Sequence, residues 1–161
     1  MSSDRRPQRA GPPAVKIYLI RHADAVDEGP DLPDPHRHLS ARGREEARRI
    51  GERLASRGVA FDAVLTSPLT RAVQTAELVT AALGFLGPVE SLLALEPGAS
   101  PRAAAAEVPA RGEAVAVIGH EPGISALATV LLRAPCPAFR KAQVTLVEDG
   151  HLAWTITPDS K

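Results

Sequence analysis

Cysteine occurs once, at Cys136, so no intrachain disulfide can form and a Cys-stapled secreted scaffold is excluded. Aromatic residues are scarce, at three Phe, one Trp and one Tyr, which leaves the core to Ala, Val, Leu and Ile. A charge excess is also missing. Lys plus Arg is 19 and Asp plus Glu is 19, so the basic surplus of a general nucleic-acid coat is absent. No apolar run approaches the ~18 residues of a membrane span. The polar, Pro- and Arg-bearing start lacks the apolar stretch of a signal peptide, so a cytoplasmic protein with no membrane partner is expected. Lysine itself is rare, at three against 16 Arg. Most of the positive charge is therefore guanidinium, whose planar fork suits oxyanions.

What is present fits one domain. The 161 residues, 44% of them apolar, can bury a real core. The expected division is a flexible N-terminal tail over 1–13 and a single domain over 14–161, acting as a monomer. Val15–Ile20 is a β-branched apolar run and reads as a buried strand. A polar loop follows to about Leu39. Ser40 reads as the N-cap of an amphipathic helix with Ala47, Ile50 and Leu54 on one face, reaching about Ser56 before Gly58. Strands are expected at 63–66, 89–95 and 114–118, and helices at 69–83, from Ser100-Pro101 (Ser100 as cap, Pro at the first position) to just before Pro109, and at 122–132. Alternating residues around Asp149-Gly150 predict a hairpin of 144–148 with 152–157. Strands alternating with helices make a three-layer α/β/α sandwich with a mostly parallel sheet and a C-terminal hairpin strand pair.

The polar residues at strand ends carry the chemistry. Arg21 and His22 directly follow the first strand, Arg71 lies in the first turn of the helix after the second, and His120 follows the fourth. Ligands of an open parallel sheet bind outside the carboxyl ends of its strands, so these four residues are expected at one edge. Two Arg forks match the oxygens of a phosphoryl group. An imidazole between them can take the phosphoryl group as a nucleophile or donate to developing charge. Neighbouring guanidinium groups disfavour imidazolium and keep the attacking ring neutral.

Leu19-Ile20-Arg21-His22-Ala23 resembles the signature of the histidine phosphatase superfamily, the phosphoglycerate mutase-like fold. Ser67-Pro68-Leu69-Thr70-Arg71-Ala72-Val73-Gln74-Thr75-Ala76 resembles its second motif, and Val117-Ile118-Gly119-His120-Glu121-Pro122 its third. Arg-His alone is a weak signal; three motifs in register are specific. With Leu39-Ser40-Ala41-Arg42-Gly43, the resemblance is closest to the short SixA-type phosphohistidine phosphatases. It implies a hydrolase with His22 as the phosphorylated nucleophile and Arg21, Arg71 and His120 as the phosphate pocket. No cofactor and no metal are expected, since there is no Gly-rich nucleotide fingerprint and the Arg residues supply the positive charge a metal would bring. The substrate would be a phosphorylated protein carrying phosphohistidine, or alternatively a small or nucleotide-derived phosphomonoester. A non-catalytic phosphoprotein-binding module is the remaining alternative, against which the complete set of four residues argues. The superfamily's usual Gly after the histidine is Ala23 here, and a methyl so near the phosphate can narrow the pocket. For the carboxylic acid that protonates an alkoxide leaving group, Glu96, Glu121 and Asp24 are the candidates.

Other features have plainer readings. Ser67 is expected to cap the following helix rather than to bond the site. His36-Arg37-His38 has a metal-binding spacing without a supporting cluster and reads as plain loop. Arg37 either binds substrate or pairs with loop carboxylates. The Arg-rich helix of residues 40–57 reads as a solvated face. Arg140 and Lys141 either reach the pocket rim or end an exposed loop. Cys136 is expected to be inert, and Trp154 to be core.

Overall fold

A computed structural model describes residues 15–160. The tail expected over 1–13 lies outside the described residues. Six strands, β1 (Lys16–Arg21), β2 (Ala63–Thr66), β3 (Val89–Ser91), β4 (Ala114–Gly119), β5 (Val144–Glu148) and β6 (His151–Ile156), form one sheet in the order β3-β2-β4-β1-β5-β6. The first four run parallel, and β5 and β6 are antiparallel additions beside β1. The hairpin turn is Asp149-Gly150, both at positive φ, as a two-residue connection requires.

Period-two alternation splits β1 between two cores. Ile17 and Leu19 face one side with Val115 and Val117 of β4; Tyr18 and Ile20 face the other with Ala116 and Ile118. Helices α1 (Ala41–Ser56) and α2 (Thr70–Leu83) cover the second face through Ala47, Ile50, Leu54, Ala72, Ala76 and Val79. Helices α3 (Pro101–Glu107) and α4 (Gly123–Leu132) cover the first through Ala104, Ile124, Leu127 and Ala128. This is the three-layer sandwich expected. Each fully buried Leu, Ile or Val contributes roughly 1.5–3 kcal/mol, so small aliphatic layers suffice without aromatics. No helix among the described residues is long and apolar enough to cross a membrane.

Ser40 caps α1 as expected, its Oγ accepting the Gly43 amide at 3.0 Å. Four expectations need correction. The third strand ends at Ser91, and Leu93–Leu95 turns as a 3-10 helix, because β3 is an edge strand paired only to β2. Ser100 makes no side-chain cap to α3, whose start rests on Pro101 alone. Leu69, not Ser67, holds the N-cap position of α2. Trp154 is half-buried rather than core, because β6 closes the other edge of the sheet; its ring packs on Tyr18 and under the Arg57 guanidinium, 4.7 Å away.

Candidate active site

Strand register builds the site. β1 and β4 are parallel neighbours with Arg21 opposite Gly119, so the residues that follow them, His22 and His120, emerge side by side. Their ring centroids are 5.1 Å apart. On the other side of β4, Thr66 of β2 lies opposite Ile118, which brings Ser67 beside His120. Arg71 then enters from the first turn of α2. The four residues singled out by sequence thus meet at one sheet edge, around a cavity of about 250 Å³ that all four line.

His22 is buried, and its Nδ1–H donates to the Ala23 carbonyl at 2.7 Å. That bond occupies Nδ1 and leaves the Nε2 lone pair free, the form a nucleophile needs. Arg21 donates from Nη1 to the Phe139 carbonyl at 2.8 Å. Arg71 donates from Nη1 to the Asp34 carbonyl at 2.9 Å and from Nη2 to its carboxylate at 3.3 Å. His120 Nε2 lies 2.7 Å from Ser67 Oγ. Three buried side-chain atoms among the described residues have no partner, Arg21 Nε, Arg71 Nε and His120 Nδ1. All three belong to this site. A buried polar group without a partner costs roughly 1–3 kcal/mol, so the two guanidinium N–H donors and the open ring nitrogen together mark a place kept for a polar ligand rich in acceptors. A phosphoryl group has the oxygens to satisfy them.

Both imidazoles are held neutral. Burial pushes His22 down to about 4, aided by the charges of Arg71, Arg21 and Arg37 and opposed by its bond to Ala23. Burial, then His22 and Arg71, lowers His120 to about 3. The ordinary value is 6.5. Below it the unfolded chain takes up protons that the folded chain refuses, so stability falls as pH drops from 6.5 toward about 4. The slope is expected to reach up to about 1.4 kcal/mol per pH unit for each ring. Denaturant midpoints between pH 7 and 4.5 measure it, and His22→Gln should flatten it; equal slopes in both proteins would rule out the buried neutral imidazole as its source.

The loop between β1 and α1 is pinned to α2 at both ends. Thr75 Oγ1 accepts the Ala23 amide at 3.1 Å, and Gln74 Oε1 accepts the Leu39 amide at 2.8 Å. The loop thereby lends Ala25, Asp34 and Arg37 to the cavity wall. Asp34 was not singled out by sequence. It bridges Arg37 (3.0 Å) and Arg71 (3.3 Å), and those guanidinium groups, Arg37 first, lower its carboxyl pKa. Arg37 therefore both pairs within the loop and lines the cavity. Lys141 reaches the cavity, whereas Arg140 is exposed outside its lining. Ala23 is fully buried within the aliphatic core on the α1/α2 face, so its methyl does not narrow the cavity. His36 and His38 are both exposed on the loop. Burial, then Glu121, raises the Cys136 thiol, which keeps it protonated.

The three general-acid candidates differ in position. Asp24 bonds Lys141 and Ser40 (both 2.6 Å), which hold it below the usual carboxylate range. Glu121 lines the cavity, but its oxygens accept from Ser125 Oγ at 2.7 Å and the Phe139 amide at 3.1 Å. Glu96 borders a neighbouring apolar recess that shares only Pro97 and His120 with the cavity.

A mostly parallel α/β sandwich with two neutral histidines between arginines at its carboxyl edge is thus the class of protein that fold and site define. A family model, the histidine phosphatase superfamily (branch 1), matches residues 17–97, and the chain belongs to that superfamily. Among solved structures, the protein histidine phosphatase SixA complexed with tungstate is similar at TM-score 0.82 and 26% identity, covering 89% of this chain and 97% of that one. A phosphoglycerate mutase from Bacillus anthracis, at TM-score 0.70 and 16% identity over 91% of this chain and 93% of its own, shares the fold. The mitochondrial serine/threonine-protein phosphatase Pgam5 of Drosophila willistoni is 44% identical over 66 residues, 41% of this chain and 22% of that protein. The chain thus spans under a quarter of that relative.

Proposed function

We propose that this protein is a phosphohistidine phosphatase working through a covalent intermediate on His22. The reading rests chiefly on the unpaired Nε donors of Arg21 and Arg71 and the open Nδ1 of His120 gathered around a neutral imidazole. In the first step His22 Nε2 attacks phosphorus while the P–N bond of the substrate breaks. The departing imidazole leaves as a neutral ring, having been protonated on its bridging side from solvent or carrying its proton on the other nitrogen. In the second step water attacks the phosphorus, inorganic phosphate leaves, and His22 regains its lone pair. The arginine forks and the His120 ring hold the equatorial oxygens through a loose, charge-spread transition state, which is most of the catalysis phosphoryl transfer needs. Guanidinium charge supplies the neutralisation a metal ion would bring, so turnover is expected to persist in EDTA.

The carboxylates favour a phosphoramidate over an ester. An alkoxide leaving group needs a positioned acid. Asp24 and Asp34 are held ionised by cations, and Glu121 is engaged as an acceptor. Phosphoester hydrolysis is the second reading, favoured by the likeness to a serine/threonine phosphatase over 66 residues. A phosphohistidine protein assayed beside phosphoserine peptides and sugar and nucleotide phosphates separates the two. Phosphohistidine is expected to turn over at least about 100-fold faster, in line with the 10²–10⁴ that general acid catalysis supplies to esters. Brief incubation and quench should trap acid-labile, base-stable phosphate on the protein. Fast ester hydrolysis with none on phosphohistidine would reverse the substrate assignment.

A further inference from the structure

Ser67 sits between β2 and α2, fully buried, its amide tied to the Ile118 carbonyl at 3.0 Å. Its hydroxyl has two neighbours. The Leu69 amide donates to Oγ at 3.2 Å, and His120 Nε2 lies 2.7 Å away. Oγ has a single proton to give, and the Leu69 amide cannot accept it. His120 Nε2 is the acceptor within reach. Directing that proton elsewhere would leave it unpaired in a dry position. If Nε2 accepts, a neutral His120 ring carries its own proton on Nδ1. Nδ1 is one of the three buried atoms without a partner, so it is the atom left for a ligand. A phosphoryl oxygen is an acceptor and would be repelled by a bare Nδ1 lone pair; it needs Nδ1–H.

We propose that Ser67 is a positioning residue that sets the tautomer of His120, donating to Nε2 so that the ring presents Nδ1–H to the phosphoryl group. The inference rests on the reading of the cavity as a phosphoryl site. It explains why a hydroxyl, rather than any helix-capping group, stands here: Ser67 does not occupy the N-cap position of α2. Because the ring stays neutral to low pH, its tautomer and not its charge decides what it offers the ligand.

Long-range ¹H–¹⁵N correlation spectra of the full chain report which ring nitrogen of His120 is protonated, with the resonance assigned by its loss in His120→Gln. The wild type is expected to be protonated at Nδ1 at pH 7. In Ser67→Ala the proton should shift wholly or partly to Nε2, and affinity for inorganic phosphate, measured by calorimetry, should fall about 10-fold, the low end for a hydrogen bond to a charged group. Ser67→Thr, which keeps the hydroxyl, should restore Nδ1–H and affinity to within about 3-fold. A purely structural role would weaken phosphate binding without moving the proton. Wild-type protonation at Nε2, Nδ1–H retained in Ser67→Ala, or Nε2–H in a folded Ser67→Thr would each overturn the assignment. Failure to trap a phosphoenzyme would instead overturn the role of His22 and leave the tautomer result standing.

Discussion

His22→Ala is expected to lower turnover of any phosphorylated substrate by roughly 10⁴-fold or more and to abolish the trapped phosphoenzyme, as loss of a covalent nucleophile does elsewhere. Binding should survive. The unpaired buried atoms lie on Arg21, Arg71 and His120, not on His22, so inorganic phosphate is expected to bind within about tenfold of wild type. Folding should survive too, because His22 makes one side-chain hydrogen bond, to its own neighbour Ala23. Kinetics, quench-trapping and calorimetry on one preparation check all three. Residual turnover within tenfold of wild type would remove His22 from the mechanism. Joint loss of turnover and phosphate binding would mean instead that the ring holds the pocket together.

The second large effect is structural. Gly43 lies in the first turn of α1, where the helix rests directly on the backbone of Asp24, two residues past His22. A Cβ at Gly43 would sit 2.8 Å from the Asp24 carbonyl carbon and 2.9 Å from its nitrogen, and would overlap the carbonyl oxygen. Backbone cannot swing aside as a side-chain tip can. Gly43→Ala must therefore push α1 off the loop or move Asp24. Overpacking costs typically 1–3 kcal/mol, and backbone contact puts this case at about 3 kcal/mol. For a chain of this size that lowers Tm by about 6–12 °C. The same carbonyl accepts the Ser40 amide at 3.0 Å, so the displacement reaches the loop that carries the site. Activity well below Tm is expected to fall as well. A Tm change under about 2 °C would show that α1 can shift freely, and the close approach would then hold nothing in place.

That glycine illustrates how far the sequence could be read. Gly43 belongs to a short run whose resemblance was visible, yet nothing in the run says why glycine is needed. The reason is a contact between α1 and Asp24, which only folding creates. β1, β2 and β4 were legible because β-branched apolar runs have few other fates, and α1 because its apolar stripe and Ser40 agree. The sequence pattern extends β3 past Ser91 and puts Trp154 in the core for one reason. Both lie on edge strands, and local pattern does not say which strands end the sheet.

Within the site, the residues at strand ends were legible and their partners were not. Arg21, His22, Arg71 and His120 stand out because cationic and imidazole groups directly after buried strands, or in the first turn behind one, have a common address in a parallel sheet. Asp34 joins Arg71 from 37 residues away in the chain, and it lies in the β1–α1 loop, which has no periodicity to read. Ser67 looks locally like a helix cap; only the β2–β4 register turns it toward His120. The chain's own order of residues therefore determined the layers, the superfamily and the four groups at the sheet edge, since these follow from local hydrophobic pattern and short motifs. Tertiary structure decided which donors stay unpaired, which carboxylates are held ionised and which imidazole nitrogen faces a hydroxyl. Those depend on distances between segments remote in sequence, set by strand register and helix packing rather than by neighbouring residues.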